Sequence, residues 1–569
     1  MASPGVKTVE RDASQNARAL GESSGAFAGT FNWGRIGEFV SVSSEDELLQ
    51  YFGKPDDINY VDWFSAANFL QYTGNLIIKR VANTEAALNA SSGIAGKLIK
   101  NQNDFDILQS TLTDTFYAKY AGDLGNSISV HMADSSTFET WKYKGEFDTA
   151  PATSDYATTY NALADDELHV IVIDRTGKIK GVPDGVLEKF PYLSKAKDGR
   201  DTNNQTSYYK NVINRKSPYI YVGADVGADL VEDISTTHVN FGSTYDVDKP
   251  FASLASAVAV NLQHGENGGI AGKADYITGV KSLANIDDET VSVIFVGDCG
   301  GDANHADVVN ALGGEVKKIQ KSVGFFSPKV SDVVGVSDEQ TAFDNISTTY
   351  KTITEMHSYM TMATGVKMVY DKYNDVYRWI PTNADEAGVW ARTHNNEGKW
   401  VSAAGYNKGV YSNAVGLAYN PKKEHRDALY AMNVNCVIQE NGAGILLFGD
   451  KTLQGKNSTF SFLATRFLFI ELRNIIGEAS KYVLFEDNND YTRSQFRDLV
   501  VPTLRDIKGK RGIHNFSVIC DESNNTDKAI QNGEFIGDIY IKPNYSIQNV
   551  LLTFTSVNRT LSFEEVVVQ

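Results

Sequence analysis

Short, uniformly apolar runs recur along this chain with helix-like segments between them, and that alternation restricts the fold more than any other feature. "NLIIKRV" (75–81), "LHVIVIDRTG" (168–177), "VSVIFVGDCGG" (291–301) and "KSVGFFSP" (321–328) each read as a buried strand closed by a turn residue. Strands apolar on both sides need cover on both faces, which a parallel sheet between helical layers provides. "GAFAGTFNWGRIGEFVSVSSEDELLQYFG" (25–53) predicts a strand, a turn, a second strand and a helix. Ser44 and Glu47 form a capping box before Leu48, Leu49 and Phe52. "DWFSAANFLQYTG" (62–74) continues as a helix that stops at Gly74.

Two regions depart from this layer. Residues 90–165 are polar and rich in Thr, Ser and Asp, and "TDTFYAKYAGDLGNSISVHMA" predicts β-structure with Gly turns, an inserted and outward-facing domain. From about 395 an α+β unit is expected. Leu463, Phe467, Ile470 and Ile475 keep helical spacing, and a second helix opens on a Thr492/Gln495 capping box. That helix ends at Gly509 and Gly512, with Pro502 expected to kink it, and "FSVIC" and "GDIYIKP" follow as strands. No internal repeat is visible.

The two ends pose their own question. Residues 1–24 are polar, with a short strand-like piece around Val6 and Val9. At the other end Val550, Leu552 and Phe554 alternate with Leu551, Thr553 and Thr555, and Leu561, Phe563 and Val566–Val568 are again strand-formers. Strand edges carry N–H and C=O groups that need partners, so a β-rich terminus predicts pairing beyond itself.

A length of 569 residues exceeds one hydrophobic core, so three or four domains are expected. The net charge of −18 argues against non-specific binding to nucleic acid or anionic membrane. "MASPGVKTVERD" places charges where a secretory signal would need an apolar core, and no apolar run approaches a membrane span, so synthesis in a cytoplasm is expected. Cys299, Cys436 and Cys520 are far apart, which reads as buried reduced thiols.

Catalytic and cofactor motifs fail on context. "GESSG" (21–25) matches the nucleophile-elbow spacing, but a polar arm precedes Ser23 and a strand follows it, the reverse of what that elbow needs. "GAGILLFG" (442–449) puts Leu447 at the third glycine of a dinucleotide fingerprint, and no phosphate-binding GxxxxGK[ST] occurs. "DKYND" (371–375) lacks the later Gly and Glu of a calcium loop, and no His spacing fits zinc. His264 near Glu266 reads as a solvated Gly-rich loop. No cofactor, metal or catalytic residue is expected.

One electrostatic feature stands apart. Across 466–511, Arg466, Arg473, Lys481, Arg493, Arg497, Arg505, Lys508, Lys510 and Arg511 outnumber seven acids in an otherwise acidic chain. Arg466 and Arg473 are seven apart on one helix, and Arg493 and Arg497 four apart on the next. Two readings stand: solvated helix faces with local ion pairs, or a docking face for an acidic partner.

"YDKYNDVYRWIPTNADEAGVWART" (370–393) resembles the tail sheath proteins of contractile-tailed bacteriophages, the large myovirus type. "WVSAAGYNKG" (400–409), "FGDKT" (448–452), "SKYVLFEDNNDYTRSQFRD" (480–498), "VICDESNNTDKAI" (518–530), "VIDRTGKIKGVPDGVLEKF" (172–190) and the opening "SPGV" fit the same resemblance. It implies a multidomain α/β and α+β protein with an α+β C-terminal core joined by the N-terminal arm. It also implies a subtilisin-like but non-enzymatic α/β middle domain and a β-rich outer insertion. The expected borders are 1–24 for the arm, 25–90 and 166–394 for the middle domain, 91–165 for the insertion, 395–548 for the tube-facing core and 549–569 for a strand arm.

The resemblance further implies hexameric rings stacked helically around a tail tube, contracting to drive the tube through the host envelope for genome delivery. The partners would be other copies, the tail tube protein, and baseplate and tail terminator proteins, with no direct nucleic acid and no membrane insertion. The location would be the virion, after synthesis in the host cytoplasm. Val6, Val9, Val550, Leu552, Phe554, Leu561, Phe563 and Val567 would be the inter-subunit strand residues, completing neighbouring sheets. Arg466, Arg473, Arg493, Arg497 and Lys508 would face the tube. The rival readings are a sheath from a phage-tail-like bacteriocin or injection particle, an α/β hydrolase, and a surface-layer or adhesin protein.

Overall fold

The computed structural model describes residues 23–161, 163–227, 230–231, 237–283, 286 and 291–548. The chain divides into two compact units. One comprises the chain up to Glu397 together with Ala403–Leu463; the other comprises Gly398–Ser402 and the chain from Ala464 onward. The border expected at 395 falls inside the helix Asn383–Glu397, and residues 403–463 pack with the first unit.

A six-stranded sheet organises the first unit, in the order Met360–Met362, Val323–Phe326, Val291–Phe295, Ser24–Thr30, Leu76–Val81, Phe39–Val42. All pairings are parallel except the last. Ser24–Thr30 is buried along its whole length. Its Ala26 and Ala28 share a core with Tyr276 and Val280 of helix Lys273–Leu283. On the opposite face Phe27 stacks on Phe295 at 4.9 Å, and Phe69 of helix Tyr60–Leu70 stacks on Phe295 at 5.2 Å. Small residues are needed on this strand: a Cβ on Gly25 would lie 2.4 Å from Phe69 Cζ. Ser44 caps helix Glu45–Phe52 by accepting from Glu47 N–H at 3.2 Å. The Glu47 carboxylate returns to Ser43, accepting from its N–H at 2.8 Å and its hydroxyl at 2.9 Å.

A four-stranded antiparallel sheet follows the order Val258–Asn261, Ile128–Asp134, Glu167–Asp174, Gly185–Ser194. The run at 168–173, expected in the parallel layer, belongs here instead. Its apolar continuity has a different cause. Leu168, Val170 and Val172 pack in one core with Phe116, Tyr209 and Ile213, whereas Ile171 and Ile173 pack on the other face with Phe138, Trp141 and Tyr143. An antiparallel strand covered on both sides has the same sequence signature as a parallel one.

Helix Asn383–Glu397 carries buried ionisable groups into the first unit. Asp385 Oδ1 accepts from Lys367 Nζ and from Tyr72 OH, both at 2.8 Å, and the ion pair is fully buried. Beside it Glu386 is fully buried, with Thr361 Oγ1 and Asn435 Nδ2 each 3.4 Å from Oε1 and no partner for Oε2 among the described residues. Burial pushes its carboxyl up to about 8.

Candidate assembly site

The second unit is small and holds together through one core. Helix Leu463–Ser480 supplies Leu468 and Leu472, and helix Asp490–Gly509 supplies Phe496, Val500, Leu504 and Ile507 at helical spacing. Trp400 fills the space between them, and Gly512 leaves room for its ring: a Cβ there would sit 2.8 Å from Trp400 and 2.7 Å from Ile507 Cγ2. Lys399 Nζ meets Glu471 Oε2 at 2.6 Å with both side chains buried. Helix Asp490–Gly509 begins earlier than the expected Thr492 box. Asn489 is the cap, accepting from Thr492 N–H at 3.0 Å, and Thr492 lies inside the first turn. Pro502 lies within this helix.

On this core sits a two-stranded antiparallel sheet, Ile513–Ile519 against Asp538–Pro543, with helix Asp527–Gln531 between them in the chain; the strands are expected from "FSVIC" and "GDIYIKP", their pairing is not. With only these two strands, each has one edge without a strand partner among the described residues. Two strands alone are marginal in water, and open edges are pairing templates. Tyr540, in this sheet, is 60% exposed. The connection between the two helices also exposes apolar side chains, Tyr482, Leu484 and Phe485, with Tyr491 just beyond. Phe485 holds φ at 69°, the left-handed region that a bulky residue adopts only under constraint.

The five basic residues singled out from the sequence separate by burial. Arg466 and Arg493 are buried, Arg497 is half-buried, and Arg473 and Lys508 are exposed. Lys508 Nζ donates to Asn515 Oδ1 at 3.1 Å. Val6, Val9, Val550, Leu552, Phe554, Leu561, Phe563 and Val567 lie outside the described residues.

Arg493, Arg497 and the turn after Ile513–Ile519 enclose an open recess of about 360 Å3, lined also by Asp490, Cys520, Asp521, Glu522 and Ser523. Arg493 Nη2 donates to Asp490 Oδ1 at 2.9 Å, and Arg497 Nη2 to Ser494 Oγ at 2.9 Å. Hydrogen bonds from the Ser523 hydroxyl and backbone N–H hold Asp521 below the usual carboxylate range. Sequence spacing signalled that Arg493 and Arg497 share a helix face; it carried no signal of the recess, because Cys520–Ser523 comes from a distant part of the chain.

The sites tested for chemistry fall in structural positions. Ser23 is fully buried before the strand Ser24–Thr30, with its hydroxyl 3.4 Å from His394 Nδ1 and its N–H donating to Asn395 Oδ1 at 2.6 Å. "GAGILLFG" forms the second strand of the hairpin Cys436–Glu440/Gly444–Phe448, with no helix following the glycines. Among the described residues no cluster of His, Cys, Asp and Glu suits a metal ion, and no helix is long and apolar enough to cross a membrane.

Comparison with known proteins places this architecture. Residues 269–453 match the phage tail sheath protein central domain, and residues 455–556 the phage tail sheath C-terminal domain, together about half of the chain. The tail sheath protein of Salmonella phage ViI is 28% identical, over 99% of this chain and 97% of the relative. That of Enterobacteria phage T4 is 27% identical, over 99% and 98%. The crystal structure of the sheath tail protein from Desulfitobacterium hafniense shares the fold with a TM-score of 0.51 at 12% identity, covering 91% of this chain and 94% of that one. The sheath tail protein from Listeria innocua gives 0.51 at 10% identity, covering 93% and 97%. Two family domains in consecutive order, whole-length relatives and a common mixed α/β fold agree: the chain belongs to the phage tail sheath family and is a structural sheath subunit.

Proposed function

We propose that copies of this chain form hexameric rings stacked helically around a tail tube, and that the assembly contracts to drive the tube through the host envelope. Chain ends donated between copies hold the lattice together. The observation that carries this reading is the sheet Ile513–Ile519/Asp538–Pro543, which has two strands among the described residues, in a chain with strand-forming ends. A donated strand supplies main-chain hydrogen bonds, and its alternating side chains set register. An arm of ten residues reaches ~33 Å when extended. With each ladder bond contributing about 1 kcal/mol net, a few bonds make a joint that holds while subunits rotate.

In this reading the parallel-sheet region is the subtilisin-like middle layer. The antiparallel lobe within 128–261 is the outer decoration, larger than the span drawn from composition. The tube-facing residues are Arg473, Lys508 and the half-buried Arg497, since exposure supports a contact role that burial denies to Arg466 and Arg493. Exposed ion pairs are individually weak, which suits a tube that must be released. Tube, baseplate and terminator proteins are the proposed partners, and the chain is made in the host cytoplasm before joining the virion. Deleting residues 549–569 tests the arm reading. The truncated protein is expected to stay folded by circular dichroism and to form no tubes by negative-stain microscopy; normal tubes would refute it.

A further inference from the structure

Asn-Gly pairs occur at Asn267–Gly268, Asn441–Gly442 and Asn532–Gly533. Such a pair carries its own reaction: with no Cβ on the glycine, its backbone nitrogen reaches the asparagine side-chain carbonyl and closes a cyclic imide. Local chemistry makes the three pairs alike, and the fold sets them apart. Asn532 caps helix Asp527–Gln531, its N–H donating to Lys528 O at 3.1 Å and the Gly533 N–H to Ile530 O at 3.0 Å. That Gly533 hydrogen bond must break before its nitrogen can act as a nucleophile. Asn267 is held by its side chain, with Oδ1 accepting from Asp123 N–H at 2.8 Å, and it pairs with Ala87 in a short sheet. The backbone beside it is crowded: a Cβ on Gly268 would lie 2.9 Å from both Ala87 N and Asn83 O.

Asn441 and Gly442 are under neither restraint. Both are exposed in the turn joining Cys436–Glu440 to Gly444–Phe448, which Ala443 N–H closes on Glu440 O at 3.2 Å. Neither the Asn441 side chain nor the Gly442 N–H has a hydrogen-bond partner among the described residues. Gly442 holds φ at 87°, and a Cβ on it would meet nothing within 4 Å, so the carboxamide has room to turn and water has access. We propose that Asn441 is a site of spontaneous deamidation in the folded protein. The Gly442 nitrogen bonds to Asn441 Cγ and gives up its proton. The Cγ–Nδ2 bond breaks, and Nδ2 leaves as ammonia with that proton. Solvent water then opens the imide at either carbonyl, leaving aspartate or isoaspartate; no oxidant or reductant takes part. The new carboxylate stands next to Glu440, whose Oε2 accepts from Tyr406 OH at 2.6 Å, and isoaspartate lengthens the backbone of the turn that sets the Glu440–Gly444 register. The proposal is independent of the assembly reading.

The test is peptide mapping by mass spectrometry of the full chain incubated at mildly alkaline pH, with aspartate and isoaspartate resolved by chromatography. Conversion at Asn441 is expected to run at least about tenfold faster than at Asn267 or Asn532, equivalent to about 1.4 kcal/mol in the barrier. Equal rates, or a faster rate at either other site, would overturn the proposal. In urea the three rates should converge; a gap that persists in the unfolded chain would assign the difference to neighbouring sequence and overturn the structural cause. Asn441→Gln, whose longer side chain closes a ring less readily, should lose the mass shift in this peptide, and a shift that survives the change would place the reaction elsewhere.

Discussion

Glu386→Gln isolates the cost of one buried acid. Glu386 is fully buried at the start of helix Asn383–Glu397, with Oε2 lacking a partner among the described residues, and its carboxyl titrates near 8. In the unfolded chain the same group titrates at about 4.3. Between those values the folded protein holds a proton that the unfolded chain has released, so stability falls as pH rises, by about 1.4 kcal/mol per unit for this group. Over the whole interval the loss reaches about 5 kcal/mol. Glutamine fills the same volume, keeps an oxygen for Thr361 and Asn435, and does not titrate. The variant should match the parent protein near pH 4.5 and exceed it increasingly toward pH 8, a widening gap rather than a constant offset. Urea unfolding of both proteins at half-unit pH steps, followed by fluorescence of the first unit's tryptophans, measures the difference. Parallel pH profiles would refute the reasoning and show that Glu386 is ionised, solvated or paired in the folded state.

Two further perturbations address other parts of the fold. Lys367→Met strips the counter-charge from fully buried Asp385 and should lower stability by about 3–5 kcal/mol at neutral pH, while adding Asp385→Asn should recover part of that loss; equal losses in the single and double variants, by denaturant midpoint, would show the pair is uncoupled. Trp400→Ala removes the ring packed among Leu468, Leu504 and Ile507 and should cost the second unit about 3–5 kcal/mol. Hydrogen exchange should then rise in 490–519 and stay unchanged in strand Ser24–Thr30; uniform acceleration would contradict the division into two units.

Much was legible in the amino-acid order because its cause is local. The buried strands at 76–81, 291–295 and 323–326, the cap at Ser44 and the presence of strands near 513–519 and 538–543 follow from hydrophobic period and turn chemistry within a few residues, whereas the pairing of the last two across helix Asp527–Gln531 does not. The long collinear segments carried the family resemblance, which the comparisons support across nearly the whole chain. Helix starts were less legible: Asn489 and Thr492 both offer a capping oxygen, and the backbone, which accepts helical geometry from Asp490, decided between them.

What the order of residues determined by itself is which segments are strands or helices and which faces must be hidden. Only tertiary structure decided what hides them. Strand 167–174 carries the signature of a parallel layer yet pairs antiparallel, because burial on both faces leaves strand direction unspecified. Arg466 and Arg473 lie nearly on one helix face by spacing, yet one is buried and the other emerges. The Lys367–Asp385 and Lys399–Glu471 pairs join residues far apart in the chain, with no local pattern announcing either. The physical reason is common to all four. Periodicity records whether a side chain is covered, whereas the covering group is chosen by packing among segments distant in sequence.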